Sequence, residues 1–314
     1  MSSSAWPEAE PPVRRPPRWG AALASVAIGV GGALLGLLPW IATGMRLPLQ
    51  NLWALDALPE DMPVAWLPFS QYSVTFLLAV LVVGAAAAGI ATRVLRRRLP
   101  SAAPVTVAAG LLFVQVVAAA QAVEVLRAGL QTGDEAAFYL AACIGVAVFG
   151  MVGGLLGFAA VARGGVPVAV VALTLAAISV GWWISGYLAL LGPLSPLPYA
   201  LAPLATWIPP VLAGAAIAWG GVRTRGRIVA AAVGLVLLWV VPALATAVQS
   251  AVGSRVLLRS PGDLLDYGWS VFVSALTMPQ LVLPRLAVAV VVAAVGFAGV
   301  AVVSRRVAQR VSSG

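Results

Sequence analysis

The sequence predicts an all-α, polytopic membrane protein: a bundle of about eight transmembrane helices with both termini in the cytoplasm and two outer segments, interfacial or re-entrant. Three observations predict it. Of the 314 residues, 61% are hydrophobic and 9% charged, and the mean hydropathy is +1.01, far outside the soluble globular range. A bilayer core about 30 Å thick needs roughly 20 apolar helical residues, and about eight runs of that length follow one another. Between those runs, arginines collect at every second junction, as short cytoplasmic loops should.

Residues 1–18 are rich in proline, serine and charge and read as a disordered cytoplasmic tail. Arg14, Arg15 and Arg18 precede the first run, 19–41. That run is longer than a signal-peptide core, and no small-x-small cleavage site follows Pro39-Trp40, so it reads as an uncleaved signal anchor. Gly32 and Gly36 within it form a small-xxx-small packing pair. The outer segment 44–72 comes next, with Leu49, Leu52 and Trp53 at helical spacing and prolines at Pro48, Pro59, Pro63 and Pro68. A short interfacial helix is expected there, with Trp53 and Trp66 at headgroup depth and Asp56, Glu60 and Asp61 facing water.

The second run, 73–92, ends in Arg93, Arg96, Arg97 and Arg98. The third, 105–126, is the most polar. Gln115 lies near mid-depth, whereas Gln121, Glu124 and Arg127 are separated by about 60° each and share an outward face. This permits two arrangements: an outward polar cavity in which Glu124 and Arg127 hold a head group or polar substrate, or an interfacial ion pair with an interhelical glutamine bond. The fourth run, 138–162, carries Cys143 as a small hydrophobe and two glycine pairs, Gly150 with Gly154 and Gly153 with Gly157, and ends at Arg163.

In the fifth run, 166–188, Trp182, Trp183 and Tyr187 suit an outer aromatic belt, as Trp219 suits an inner one. The sixth, 201–220, contains Pro203, Pro209 and Pro210. Proline lacks an amide donor, so a kinked or broken helix lining a cavity is expected. Arg223, Arg225 and Arg227 follow it, and the seventh run is 228–248. In the second outer segment, 249–284, Ser260-Pro261-Gly262-Asp263 is a helix-start signal. The apolar body after it, 264–276, reaches only about 20 Å, so a horizontal or re-entrant helix bearing Asp263 and Asp266 is expected. The eighth run, 286–304, leads into a cytoplasmic tail, 305–314, with Arg305, Arg306 and Arg310. Residues 19–304 thus form one membrane-embedded domain.

This topology leaves Glu8 and Glu10 inside and puts Asp56, Glu60, Asp61, Glu124, Asp134, Glu135, Asp263 and Asp266 outside. The net charge of +9 is then an orientation signal and calls for no nucleic acid. Eight spans make both four-span halves enter from the same side, which disfavours an inverted repeat and leaves a parallel duplication open. No residue-level similarity links the halves.

The chain has no histidine and one cysteine, so zinc, haem and Cys/His chemistries lack their usual groups, and no metal or cofactor is expected. Without lysine, Walker-type phosphate binding and Schiff-base chemistry are missing too. No ionisable residue falls near the middle of a predicted span, which weighs against ion-coupled transport. An enzyme would need carboxylates converging within about 5 to 10 Å, and no spacing pairs them. The expectation is a non-enzymatic, multi-pass protein of a bacterial cytoplasmic membrane; the bacterial source is read from the arginine and alanine bias. It would present Trp53, Asp56, Glu60, Asp61, Asp263 and Asp266 to lipids or to an envelope or membrane-protein partner. The alternative is a permease or lipid or amphiphile transporter with a cavity between spans three, five and six.

Overall fold

A computed structural model of the protein describes residues 18–191, 197–254 and 260–312; Glu8, Glu10, Arg14 and Arg15 lie outside them. The described residues form nine α-helices: α1 (Arg18–Ala42), α2 (Val74–Leu95), α3 (Ala103–Gly129), α4 (Asp134–Ala162), α5 (Val166–Leu190), α6 (Leu197–Gly220), α7 (Arg225–Gly253), α8 (Pro261–Leu276) and α9 (Pro279–Ser312). All but α8 are long and apolar enough to cross a membrane. The protein is therefore a multi-pass, all-α membrane protein, as its composition and apolar runs predict.

Local chemistry sets the helix ends. Proline stands in the first turns of α3, α5 and α8, where its missing N–H has no intrahelical duty. Asp134 and Glu135 open α4 and complement the positive end of its dipole. Gly221, with φ of +68°, turns the chain after α6. Arg96, Arg97, Arg98, Arg163 and Arg223 sit in the turns at one end of the bundle, called the inner end below; segment 43–73 lies at the other, the outer end.

Two departures from expectation matter. Segment 44–72 holds no α-helix; it has only the 3-10 turns Pro59–Asp61 and Gln71–Ser73. Its four prolines remove the donors a helix there would need. In addition, α9 begins at Pro279 rather than near 286, which brings Arg285 inside an apolar helix.

The helices pack as two four-helix sets. In the first, α1 lies against α2 and α3, α2 against α4, and α3 touches α2 and α4; in the second, α5 lies against α6 and α7, α6 against α9, and α7 touches α6 and α9. The adjacency is the same, and both sets start at the inner end. This is the arrangement of a parallel repeat, without a matching sequence to announce it.

Glycines allow the closest approaches. A Cβ on Gly36 would lie 2.1 Å from the Val80 carbonyl oxygen in α2, and one on Gly29 would lie 2.1 Å from that of Val107 in α3. Gly32 likewise packs on α2 at Gly84 and Ala88. Gly150 and Gly154 pack on Leu81 and Ala85, whereas Gly153 and Gly157 meet open space. The two sets are joined by α5 against α2 and α4. The Trp183 indole donates to the Gly36 carbonyl at 2.8 Å, and the Phe76 ring sits where a side chain on Gly186 would be. At the inner end, Arg93 donates to the carbonyls of Val161 (2.7 Å) and Gly164 (3.1 Å) while lying 4.9 Å from the centre of the Trp219 ring.

Candidate binding cavity

The polar residues of α3 line neither of the two cavities described below. Gln115 is buried and donates across to the Leu81 carbonyl of α2 at 3.0 Å. Gln121 is held at the outer end, accepting from the Trp66 amide (2.7 Å) and donating to the Val64 carbonyl (3.1 Å). Glu124 and Arg127 form an ion pair at 3.1 Å with both side chains about two-thirds exposed. This is the second of the two arrangements, an interfacial pair and an interhelical glutamine bond. α3 packs on α1, α2 and α4.

Gln121 instead fastens an outer cap made by residues 43–70. Leu47, Met62, Ala65, Leu67 and Phe69 are buried beneath it. Trp40 donates to the Ala65 carbonyl at 2.8 Å, and Arg46 donates to the carbonyls of Glu60 and Met62. Trp53 is half-buried, with its ring over Gly129 and its backbone bridged to Leu130. That ring is thus used for internal packing, while Asp56, Glu60 and Asp61 are exposed. Asp263 and Asp266 are exposed on α8, which packs along α7 and accepts the Trp239 indole at the Leu276 carbonyl (3.0 Å). Ser260 stands at the N-cap of α8 without a side-chain capping bond.

α6 is one uninterrupted helix across Pro203, Pro209 and Pro210 rather than a broken one. Packing against α5 and α9 holds it: Pro209 and Pro210 are buried, and Pro209 fills the space opposite Gly181. The hydrogen-bond ladder is still interrupted. Proline has no N–H, so the carbonyls of Ala205 and Thr206 lose their i+4 donors to Pro209 and Pro210, and that of Leu238 in α7 loses its donor to Pro242.

These residues line one cavity of about 200 Å³ in the outer half of the second helix set. α5 contributes Ile178, Gly181, Trp182 and Ser185; α6 contributes Ala205, Thr206, Pro209 and Pro210; α7 contributes Leu238, Pro242 and Thr246; α9 contributes Arg285. Ser185 and Thr246 are exposed at its rim. Arg285 is half-buried, and no acidic side chain lines the cavity. Among the described residues its guanidinium makes no hydrogen bond or ion pair. It lies about 9 Å along α9 from Pro279, at roughly 1.5 Å per residue.

Sequence reasoning missed Arg285 because the predicted span began one residue after it. The signal was present: a lone arginine beside Pro284, inside an otherwise apolar stretch that runs back to Leu281. No family model, curated protein or solved structure matches the chain.

Proposed function

We propose that the protein is a non-enzymatic component of a bacterial cytoplasmic membrane, with both termini in the cytoplasm, that binds an anionic amphiphile by its head group in the α5–α6–α7–α9 cavity. Arg285 carries this reading. Arg285 is half-buried in the second turn of an apolar helix, and charged residues within membrane-spanning segments mark function or pair with one another. Among the described residues Arg285 has no counter-charge, yet it lines a cavity with the Ser185 and Thr246 hydroxyls at its rim. A phosphate or carboxylate supplies the missing partner. At 4 Å and an effective dielectric of about 20, the attraction is about 4 kcal/mol before desolvation.

The cavity is smaller than the roughly 300 Å³ at which drug-sized pockets begin, so it holds a head group and leaves the chains in the bilayer. The arginines at the inner end favour its cytoplasmic placement, which puts the cavity in the outer leaflet. Binding is a better reading than passage across the membrane. A second, larger cavity, about 320 Å³ between α2, α5 and α6, is walled only by aliphatic residues such as Val83, Ile90, Leu173 and Leu212. The buried hydroxyls of Ser25, Thr92, Thr174 and Ser179 bond to their own helices, and so offer a moving head group no path.

The test is ligand-linked stability in a neutral detergent. A ligand at 100 times its Kd stabilises the folded state by about 2.7 kcal/mol. Phospholipids with a phosphate head group should raise the melting temperature, and an uncharged glyceride of the same chains should not. Equal shifts for both, or none for either, would remove this reading.

A further inference from the structure

We propose that the crevice between α2, α5 and α6 seats one acyl chain of an anionic inner-leaflet phospholipid whose phosphate is held by Arg93. This site is separate from the Arg285 cavity and does not rest on it. The walls of the crevice are aliphatic throughout, and half of the lining is alanine: the short side chains of Ala86, Ala87, Ala176, Ala177 and Ala216 leave about 320 Å³ of the seam open. Ile90 and Leu212, also in the lining, are exposed on the surface of the bundle, so the crevice is reached from the bilayer. At about 1.5 Å per residue it runs from about 6 Å above the inner end of α6, at Ala216, to about 21 Å above that of α5, at Val180. A chain entering from the inner surface covers about that distance to reach the bilayer centre.

Lipid chains are as apolar as leucine, so such walls hold a chain without selecting it. Selection lies at the inner mouth. On α2 Arg93 follows Ile90 by three residues, and on α6 Trp219 follows Ala216 by three, so each stands one turn nearer the inner end beside the lining residue. The two meet there, with Arg93 Cζ 4.9 Å from the centre of the Trp219 ring. Arg93 Nη1 donates to the Val161 and Gly164 carbonyls, which uses both of its hydrogens. Among the described residues, the remaining donors, on Nη2 and Nε, have no hydrogen-bond partner, and Arg93 has no ion pair. Every Asp and Glu among those residues belongs to the outer end. The guanidinium is thus anchored through one nitrogen with donors left over for a phosphate. Arg97, four residues on and exposed, adds positive charge on the same side of α2.

The experiment titrates purified full-length Arg285→Gln protein with phosphatidylglycerol and phosphatidylcholine of identical chains and reads bound lipid by native mass spectrometry. Replacing Arg285 silences the outer cavity, so failure at either site is seen separately. The expected result is at least about tenfold tighter binding of the glycerol lipid, the equivalent of one charge-assisted hydrogen bond; the choline lipid carries the same phosphate with a fixed cation beside it. Adding Arg93→Gln should bring the preference towards unity. Arg225→Gln removes the same charge at the start of α7, which does not line the crevice, and should leave the preference intact. Ala87→Leu fills the crevice, keeps Arg93 and should weaken the glycerol lipid at least about tenfold, since one misplaced methylene in an apolar pocket is already worth about that much. It serves where Arg93→Gln does not fold. Equal affinities for the two lipids, a preference lost equally in Arg93→Gln and Arg225→Gln, or binding unchanged in Ala87→Leu would overturn the assignment.

Discussion

Arg285→Gln is expected to weaken binding of a phosphate-bearing amphiphile roughly ten- to hundredfold while leaving the fold intact. Hydrogen bonds to a charged group contribute about 1.5 to 3 kcal/mol, and each 1.4 kcal/mol is about a factor of ten in affinity. Glutamine keeps two N–H donors and much of the side-chain volume, so the loss reports charge rather than a hole in the packing. Stability without ligand should stay level or rise, since an unpaired charge is removed from an apolar helix. Lipid titration by native mass spectrometry gives the first quantity and thermal melting in detergent the second. If Arg285 were instead a structural tether, the variant would melt lower and its lipid affinity would be unchanged.

Gly36→Leu is expected to cost at least about 3 kcal/mol, the upper end of ordinary overpacking, and to lower the yield of folded protein sharply. The added Cβ alone would meet three backbone atoms of α2: the Val80 oxygen at 2.1 Å, the Gly84 nitrogen at 2.8 Å and the Gly84 Cα at 2.9 Å. Backbone atoms cannot swing aside, so α1 and α2 must separate. The Gly36 carbonyl also receives the Trp183 indole, so separation pulls on the joint between the two helix sets. Gly153→Leu is the control, because nothing lies within 4 Å of its Cβ position. Thermal melts of the two variants should differ by the whole effect. Similar melts would show that the α1–α2 approach is looser than described.

The contrast between these glycines shows where sequence reasoning ran out. Hydropathy and the arginine alternation were enough for the eight long helices, because a run of 20 apolar residues has few other stable forms in lipid. Glycine spacing named both pairs in α4, but spacing alone cannot say which pair meets a helix: Gly150 and Gly154 do, and Gly153 and Gly157 do not. The prolines of α6 predict a kinked or broken helix because the sequence shows a lost donor and not the neighbours that pack on α6 and keep it helical. They still pointed to the right helix. The polar face of α3 misled for the opposite reason. Gln121 finds its partners in Val64 and Trp66, more than fifty residues away, and a helical wheel of one segment cannot reveal a cap folded over it. The site itself needed tertiary information, since Arg285 comes to line one cavity with Ser185, Thr206 and Thr246 only when four helices are assembled.

The occupant of the cavity is most directly read by a photo-crosslinking amino acid placed at Ser185, an exposed position on α5 that lines the cavity. The protein would be irradiated in its native membrane and its intact mass measured. The expected product is a phospholipid adduct whose yield falls at least tenfold when Arg285→Gln is added. An adduct of equal yield in both proteins, or no lipid adduct in either, would contradict head-group binding in the α5–α6–α7–α9 cavity.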